Sequence, residues 1–178
     1  MILAESIYYS LRFPYLEAIK IYKTILVATD GSKPAKEAVE HAAKLAKKWG
    51  TTLQILTVVP PPPRVYTDVS VFTVDYNLDY EKAVMAYHLE LLEDTKKLLK
   101  EKHPQLTVST QVKKGYIPDK ILEASEVPDV DLIVVGCRGL GRLTGWFLGS
   151  VSNYVVNHCT KPILVVKHES GGEKANEV

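Results

Sequence analysis

Gly136, Gly139, Gly149 and Ser150 stand at intervals that suit one task, holding an anion. The residues before them, Leu132-Ile133-Val134-Val135, are apolar enough for a buried strand, and the stretch after them leads to a helix start at Gly149-Ser150. A strand that feeds a glycine-rich loop and then a helix presents unpaired backbone N–H groups to a phosphate. The helix dipole adds about 0.3–1 kcal/mol for a negative group. Glycine suits such a loop because the backbone must come close to the ligand and can adopt positive φ without a clashing Cβ. On this reading Gly149 tolerates no side chain. A second chemical candidate is Asp30, an acid that closes the apolar run Ile25-Leu26-Val27-Ala28 and precedes Gly31-Ser32. A carboxylate there can accept from a diol, or it can cap a turn.

Several familiar arrangements fail against these residues. Gly136 and Gly141 have the spacing of a P-loop, but Arg142-Leu143 replaces the lysine and hydroxyl that the motif needs. Gly139, Gly141 and Thr144 approach a dinucleotide fingerprint, yet the third glycine is missing and the strand before it is not the first. His41, His88, His103, His158 and His168 show neither metal-ligand spacing nor a paired nucleophile, so no metal site and no catalytic residue is assigned. Arg138 and Arg142 can reach a phosphate, but loop arginines are usually solvated.

The elements that must position these residues follow from periodicity. Lys23–Thr29 is a continuous apolar strand, and a helix runs from Lys33 to Trp49 with Ser32 as cap and Gly50 as stop. Leu53–Val59 is a second strand, ended by the four prolines 60–63. A long connection to about Tyr80 is a candidate cover for the site. Glu81–Lys102 reads as the longest helix, with Val84, Tyr87, Leu91 and Leu98 inward. Leu106–Val112 is a third strand and Gly115–Glu126 a short helix. Asp131–Gly136 is a fourth strand, Ser150–His158 a helix, and Pro162–Lys167 a last strand. Alternation of this kind predicts an α/β fold: a doubly wound five-stranded parallel sheet of order 3-2-1-4-5 with helices on both faces. The order reverses between strands one and four, so Asp30 and Gly136 converge on one crevice at the strands' carboxyl ends. A phosphorylated receiver domain is also a doubly wound five-stranded parallel fold but needs an acidic pair after strand one and an aspartate after strand three, which are lacking.

The spacing Gly136-x2-Gly139-x9-Gly149-Ser150, the opening Ile25-Leu26-Val27-Ala28-Thr29-Asp30-Gly31-Ser32 and the closing Pro162-Ile163-Leu164-Val165-Val166 resemble the universal stress protein family, across residues 22–167. That resemblance implies an adenine-nucleotide α-hydrolase-like fold and a site for ATP, ADP or AMP with Mg²⁺. In it Asp30 holds ribose hydroxyls, main chain at Ala28, Thr29 and Val58 frames the adenine, and Gly136, Gly139, Gly149 and Ser150 take the phosphates. It also implies a homodimer, for which Ile163-Leu164-Val165-Val166 is suited as an apolar sheet edge. A stress-response or signalling module with little turnover is expected. A slow ATPase or phosphotransferase would need a residue to orient a nucleophile at the γ-phosphate, and the glycine loop holds no carboxylate or glutamine. A nucleotide-free dimerising module is the remaining alternative.

Composition sets the outer bounds. With 178 residues the chain can bury about 70% of its unfolded surface without staples. Lys+Arg 22 against Asp+Glu 21 leaves a net charge of +1, which disfavours nucleic acid and membrane surfaces as partners. Two cysteines without metal spacing suit a cytoplasmic location. Residues 1–21 are read as an extension with a short amphipathic helix near Tyr15–Lys20, residues 22–168 as the domain, and residues 169–178 as a polar tail.

Overall fold

The computed structural model describes residues 22–62, 73–137 and 148–167. The proposed N-terminal helix, most of the connection after Pro62, Arg138, Gly139 and Arg142 lie outside the described residues. Five strands, β1 (Thr24–Ala28), β2 (Thr52–Val59), β3 (Val108–Lys114), β4 (Val130–Gly136) and β5 (Ile163–Val166), form one sheet of order β3-β2-β1-β4-β5. Every pairing is parallel, as expected.

Among the described residues four helices cover it: α1 (Lys33–Trp49), α2 (Thr73–Lys102), α3 (Ile117–Ser125) and α4 (Ser150–His158). The β1, β2 and β4 runs are apolar without alternation because both faces are covered. One core layer joins Ile25, Val27, Leu53 and Ile55 to α1 and α2, through Ala38, Ala42, Leu92 and Leu99. The other joins Leu26, Leu56, Ile133 and Val135 to α3 and α4, through Ile121, Ala124 and Val155. Helix α1 starts and stops where its sequence dictates. The Ser32 hydroxyl accepts the Ala35 N–H at 3.3 Å, Pro34 fills the first turn, and Gly50 ends the helix at φ 63°.

Three expectations need correction. Helix α2 begins at Thr73 rather than Glu81, so the connection is shorter by about two turns. The added turns carry β-branched and aromatic residues of weak helix propensity and no apolar stripe. They propagate a helix already nucleated downstream. The inward face of α2 is His88, Leu92 and Leu99, whereas Tyr87 and Leu98 are about half exposed (51% and 50%). A shift of one residue turns a helix by about 100°, and the apolar stripe is broad enough to allow either choice. Strand β3 lies two residues later than the expected Leu106–Val112, because its span is set by pairing with β2 from Leu53↔Val108 to Val59↔Lys114. Lys113 and Lys114 look like loop residues in sequence yet suit an exposed sheet edge.

Candidate functional site

The crevice lies where β1 ends between its two neighbours. Register aligns Val27 with Val134, so the chain leaving β1 at Thr29-Asp30 sits level with Gly136 at the end of β4. Two stretches far apart in sequence, the β1 turn and the base of the glycine loop, are therefore adjacent, as the reversal of strand order requires.

Backbone directions decide what each residue offers. In β2, Thr52 donates to Lys23 O and Leu56 O accepts from Thr29 at 2.9 Å, so the even-numbered peptide groups face β1. The odd-numbered ones face β3, as shown by Leu53 donating to Thr107 O and Val59 O accepting from Gly115. Val58 accordingly aims its N–H and C=O toward β1, beyond Ala28, where that strand has ended. Thr29 faces the same gap, and since its N–H is bonded to Leu56, its carbonyl is what remains to a ligand there. Ala28 belongs to the other alternation and turns its peptide groups toward β4. Val58 and Thr29 thus share one gap while Ala28 borders the next.

Asp30 makes the turn that leads into α1: its Oδ1 accepts the Ser32 N–H at 3.0 Å. The carboxylate is held over the end of β1 by that bond, and the next residue, Gly31, takes φ 79°. Here glycine is needed for conformation and for space, because an added Cβ would stand 3.1 Å from both Tyr87 Oη and Leu91 Cδ1.

The glycine loop is closed at its base. Gly149 N–H donates to Cys137 O at 2.7 Å, the Ser152 hydroxyl donates to the same oxygen at 2.9 Å, and Cys137 N–H donates to Val166 O. Two expectations change as a result. Gly149 has φ −62° and ψ 160°, a conformation any residue adopts, so positive φ does not explain its glycine. Its N–H is also engaged, so the donors at the start of α4 are those of Ser150, Val151 and Ser152. That helix has no side-chain cap, and an anion can satisfy these groups. Gly136 likewise has no positive φ. An added Cβ there would lie 2.9 Å from Pro34 O and 3.2 Å from Ala35 N, so its glycine admits the first turn of α1 against β4.

A residue that sequence spacing set aside belongs to this end of the sheet. His88 on α2 is buried, with Nδ1 2.7 Å from the Thr57 hydroxyl and its ring edge-on to Tyr87. Burial lowers its pKa below the ordinary 6.5, partly opposed by the Asp30 carboxylate. The only signal in sequence was a histidine on the inward side of an amphipathic helix, which core packing explains equally well. The folded state favours neutral His88, so as pH falls below about 6.5 the unfolded chain takes up the proton first and stability drops. We expect urea melts of the parent to lose stability between pH 7.5 and 5.5 by more than those of His88→Asn, at up to about 1.4 kcal/mol per pH unit. Equal losses would remove His88 as the cause.

Among the described residues no group of three His, Cys, Asp or Glu side chains could hold a metal ion. Both cysteines are free, and no described helix is long and apolar enough to cross a membrane. The arrangement suits an anionic ligand carrying a diol and a flat polar edge.

A doubly wound parallel sheet with these strand ends is the adenine-nucleotide α-hydrolase-like architecture, shared with universal stress protein UspA from Lactobacillus plantarum. That structure is similar at a TM-score of 0.71 and 23% identity, over 82% of this chain and 97% of the other. The universal stress protein family model matches residues 21–167, and the chain belongs to that family. A universal stress protein of Synechocystis is 30% identical over 83% of this chain and 99% of its own length. One from Mycobacterium tuberculosis is also 30% identical, but the chain spans only 48% of it, about half. Other structures of this fold contain nucleotides: AMP in a family protein from Arabidopsis thaliana (22% identity, TM-score 0.53, 83% of this chain and 93% of that one). A universal stress protein in complex with cAMP (TM-score 0.58) and one from Archaeoglobus fulgidus with dAMP (TM-score 0.52) are similar in fold.

Proposed function

We propose that residues 22–168 bind an adenine nucleotide, ATP with Mg²⁺ in the first instance, and that the protein acts in the cytoplasm as a nucleotide-dependent stress-response or signalling module. The observation that carries this reading is the meeting of Asp30 with the base of the glycine loop at the point where strand order reverses. The adenine edge lies against the peptide groups of Val58 and Thr29, with Ala28 bordering it. The ribose hydroxyls donate to Asp30. The phosphates lie over Gly136, Gly139 and Gly149 and are held by the amides of Ser150 and the first turn of α4. The cAMP, dAMP and AMP present in other structures of this fold support an adenine nucleotide as the ligand class. Mg²⁺ would be carried chiefly by the phosphates themselves.

Binding with little turnover is preferred to a slow ATPase or phosphotransferase, because the glycine loop carries no carboxylate or glutamine to orient a nucleophile. Calorimetric titration with ATP, ADP, AMP and GTP tests the reading. Saturable adenine-nucleotide binding with weaker GTP binding is expected, and no heat at millimolar concentration rejects it.

A homodimer along β5 completes the proposal. Pro162 O and Val166 O accept from β4, so Ile163 and Val165 turn their N–H and C=O groups outward along the free edge. Ile163, Leu164 and Val165 are only partly buried. Antiparallel pairing about a two-fold axis would satisfy both edges with one patch. Val165→Pro removes an outward donor while sparing the bonds to β4, so light scattering should show a dimeric parent and a folded monomeric variant. A monomeric parent, or a dimeric variant, counts against this edge.

A further inference from the structure

Helix α2 brings two adjacent side chains to the Asp30 end of the crevice that neither the sequence pattern nor the glycine motif assigns. Tyr87 lies with Leu91 on the side of α2 that covers Gly31, its hydroxyl oxygen 3.1 Å from the position of an added Cβ there. Its ring is nonetheless half exposed, so one side remains open to a ligand. His88, one residue on, points instead into the sheet and ties α2 to β2 through Thr57 Oγ1 at 2.7 Å. The two rings meet edge to face at a centroid distance of 5.4 Å, so the orientation of His88 helps to set that of Tyr87. A hydroxyl that can donate and accept thus stands beside the turn made by the carboxylate assigned to the ribose.

We propose that Tyr87 is a ribose-binding residue of this site, its hydroxyl bonding one of the two ribose hydroxyls while Asp30 accepts from the diol, and that His88 is the residue that positions it. This deepens the adenine-nucleotide reading and rests on it. The ligand class it selects is a nucleotide with both 2′ and 3′ hydroxyls in place. A deoxynucleotide leaves a polar partner in the crevice unmet, which is how a site built for a hydroxyl rejects its analogue.

The test compares ATP with 2′-deoxy-ATP and 3′-deoxy-ATP by calorimetry on the full chain, for the parent, Tyr87→Phe, His88→Ala and His88→Asn. In the parent each deoxy analogue should bind more weakly than ATP. In Tyr87→Phe, ATP should weaken by about three- to tenfold, and one of the two deoxy penalties should shrink to what Asp30 alone contributes, because the phenyl ring keeps the packing on Gly31 but not the hydrogen bond. His88→Ala and His88→Asn both remove the ring that meets Tyr87 and should blur the same penalty, and His88→Asn, which keeps a polar group near the Nδ1 position for Thr57, shows that the ring contact and not the tie to β2 is responsible. If ATP binds the parent and both penalties survive unchanged in Tyr87→Phe, Tyr87 is a structural cover and the proposal is overturned while the nucleotide reading stands. If His88→Ala keeps the parent's penalties, the positioning role of His88 is overturned. A parent that binds no adenine nucleotide removes both.

Discussion

Gly136→Val is expected to lower the melting temperature by about 6–12 °C in the absence of any nucleotide. Gly136 ends β4 with the backbone of Pro34 and Ala35 against its α-carbon, and an added Cβ would meet Pro34 O at 2.9 Å. Neither neighbour is a flexible side chain. Pro34 is fixed in the first turn of α1, where the Ser32 cap holds it, and α1 carries six buried residues of its own. Relief therefore requires α1 to move away from β4, loosening the layer that joins Val27 and Val134 to Ala38 and Ala42. Overpacking of this kind costs about 3 kcal/mol, and in a chain of this size each kcal/mol moves the melting temperature by about 2–4 °C. Differential scanning calorimetry decides it. A variant that melts within about 2 °C of the parent would show that α1 yields cheaply, and the glycine would then be owed to the ligand alone.

Adenine nucleotide should produce the largest stabilisation. At a concentration about 100 times its dissociation constant, ATP adds roughly 2.7 kcal/mol to the native state, or about 5–11 °C in melting temperature. Asp30→Ala should raise the dissociation constant by about ten- to a hundredfold, the worth of a charged hydrogen bond of about 1.5–3 kcal/mol. Because Asp30 also accepts the Ser32 N–H, the variant starts from a lower melting temperature. The quantity to compare is thus the nucleotide-induced shift and not the absolute value. An Asp30→Ala protein with the parent's affinity would falsify the ribose assignment, whereas a parent that gains no stability from any adenine nucleotide would remove the site altogether.

Two different demands act on residues at the same end of the sheet. Gly136 answers to the packing of α1, and Asp30 answers to the turn and, on the proposed reading, to the ligand. The glycine spacing is the same whichever reason applies, which is why the motif by itself leaves the question open.

The sequence by itself determined the architecture. Unalternating apolar runs at β1, β2 and β4, helices of 3.6-residue period between them, and capping residues such as Ser32 and Gly50 are local signals, written in residues that are close in the chain. Alternation with helical crossovers implies a doubly wound sheet, and the order expected for it, 3-2-1-4-5, is the one observed and sets Asp30 near the level of Gly136. The tertiary structure alone decided the rest. The span of β3 was fixed by its partner β2, and the start of α2 at Thr73 by propagation from its packed half. The engagement of the Gly149 N–H by Cys137 depended on how the glycine loop closes on itself. What a side chain at Gly136 would meet is Pro34, a neighbour about a hundred residues away in sequence. Which side of α2 is inward, and hence that His88 reaches Thr57 while Tyr87 overhangs Gly31, turned on a rotation of about 100° that an apolar stripe this broad does not specify. Periodicity records that a face is buried. Only packing against a particular partner fixes which side chain meets which backbone.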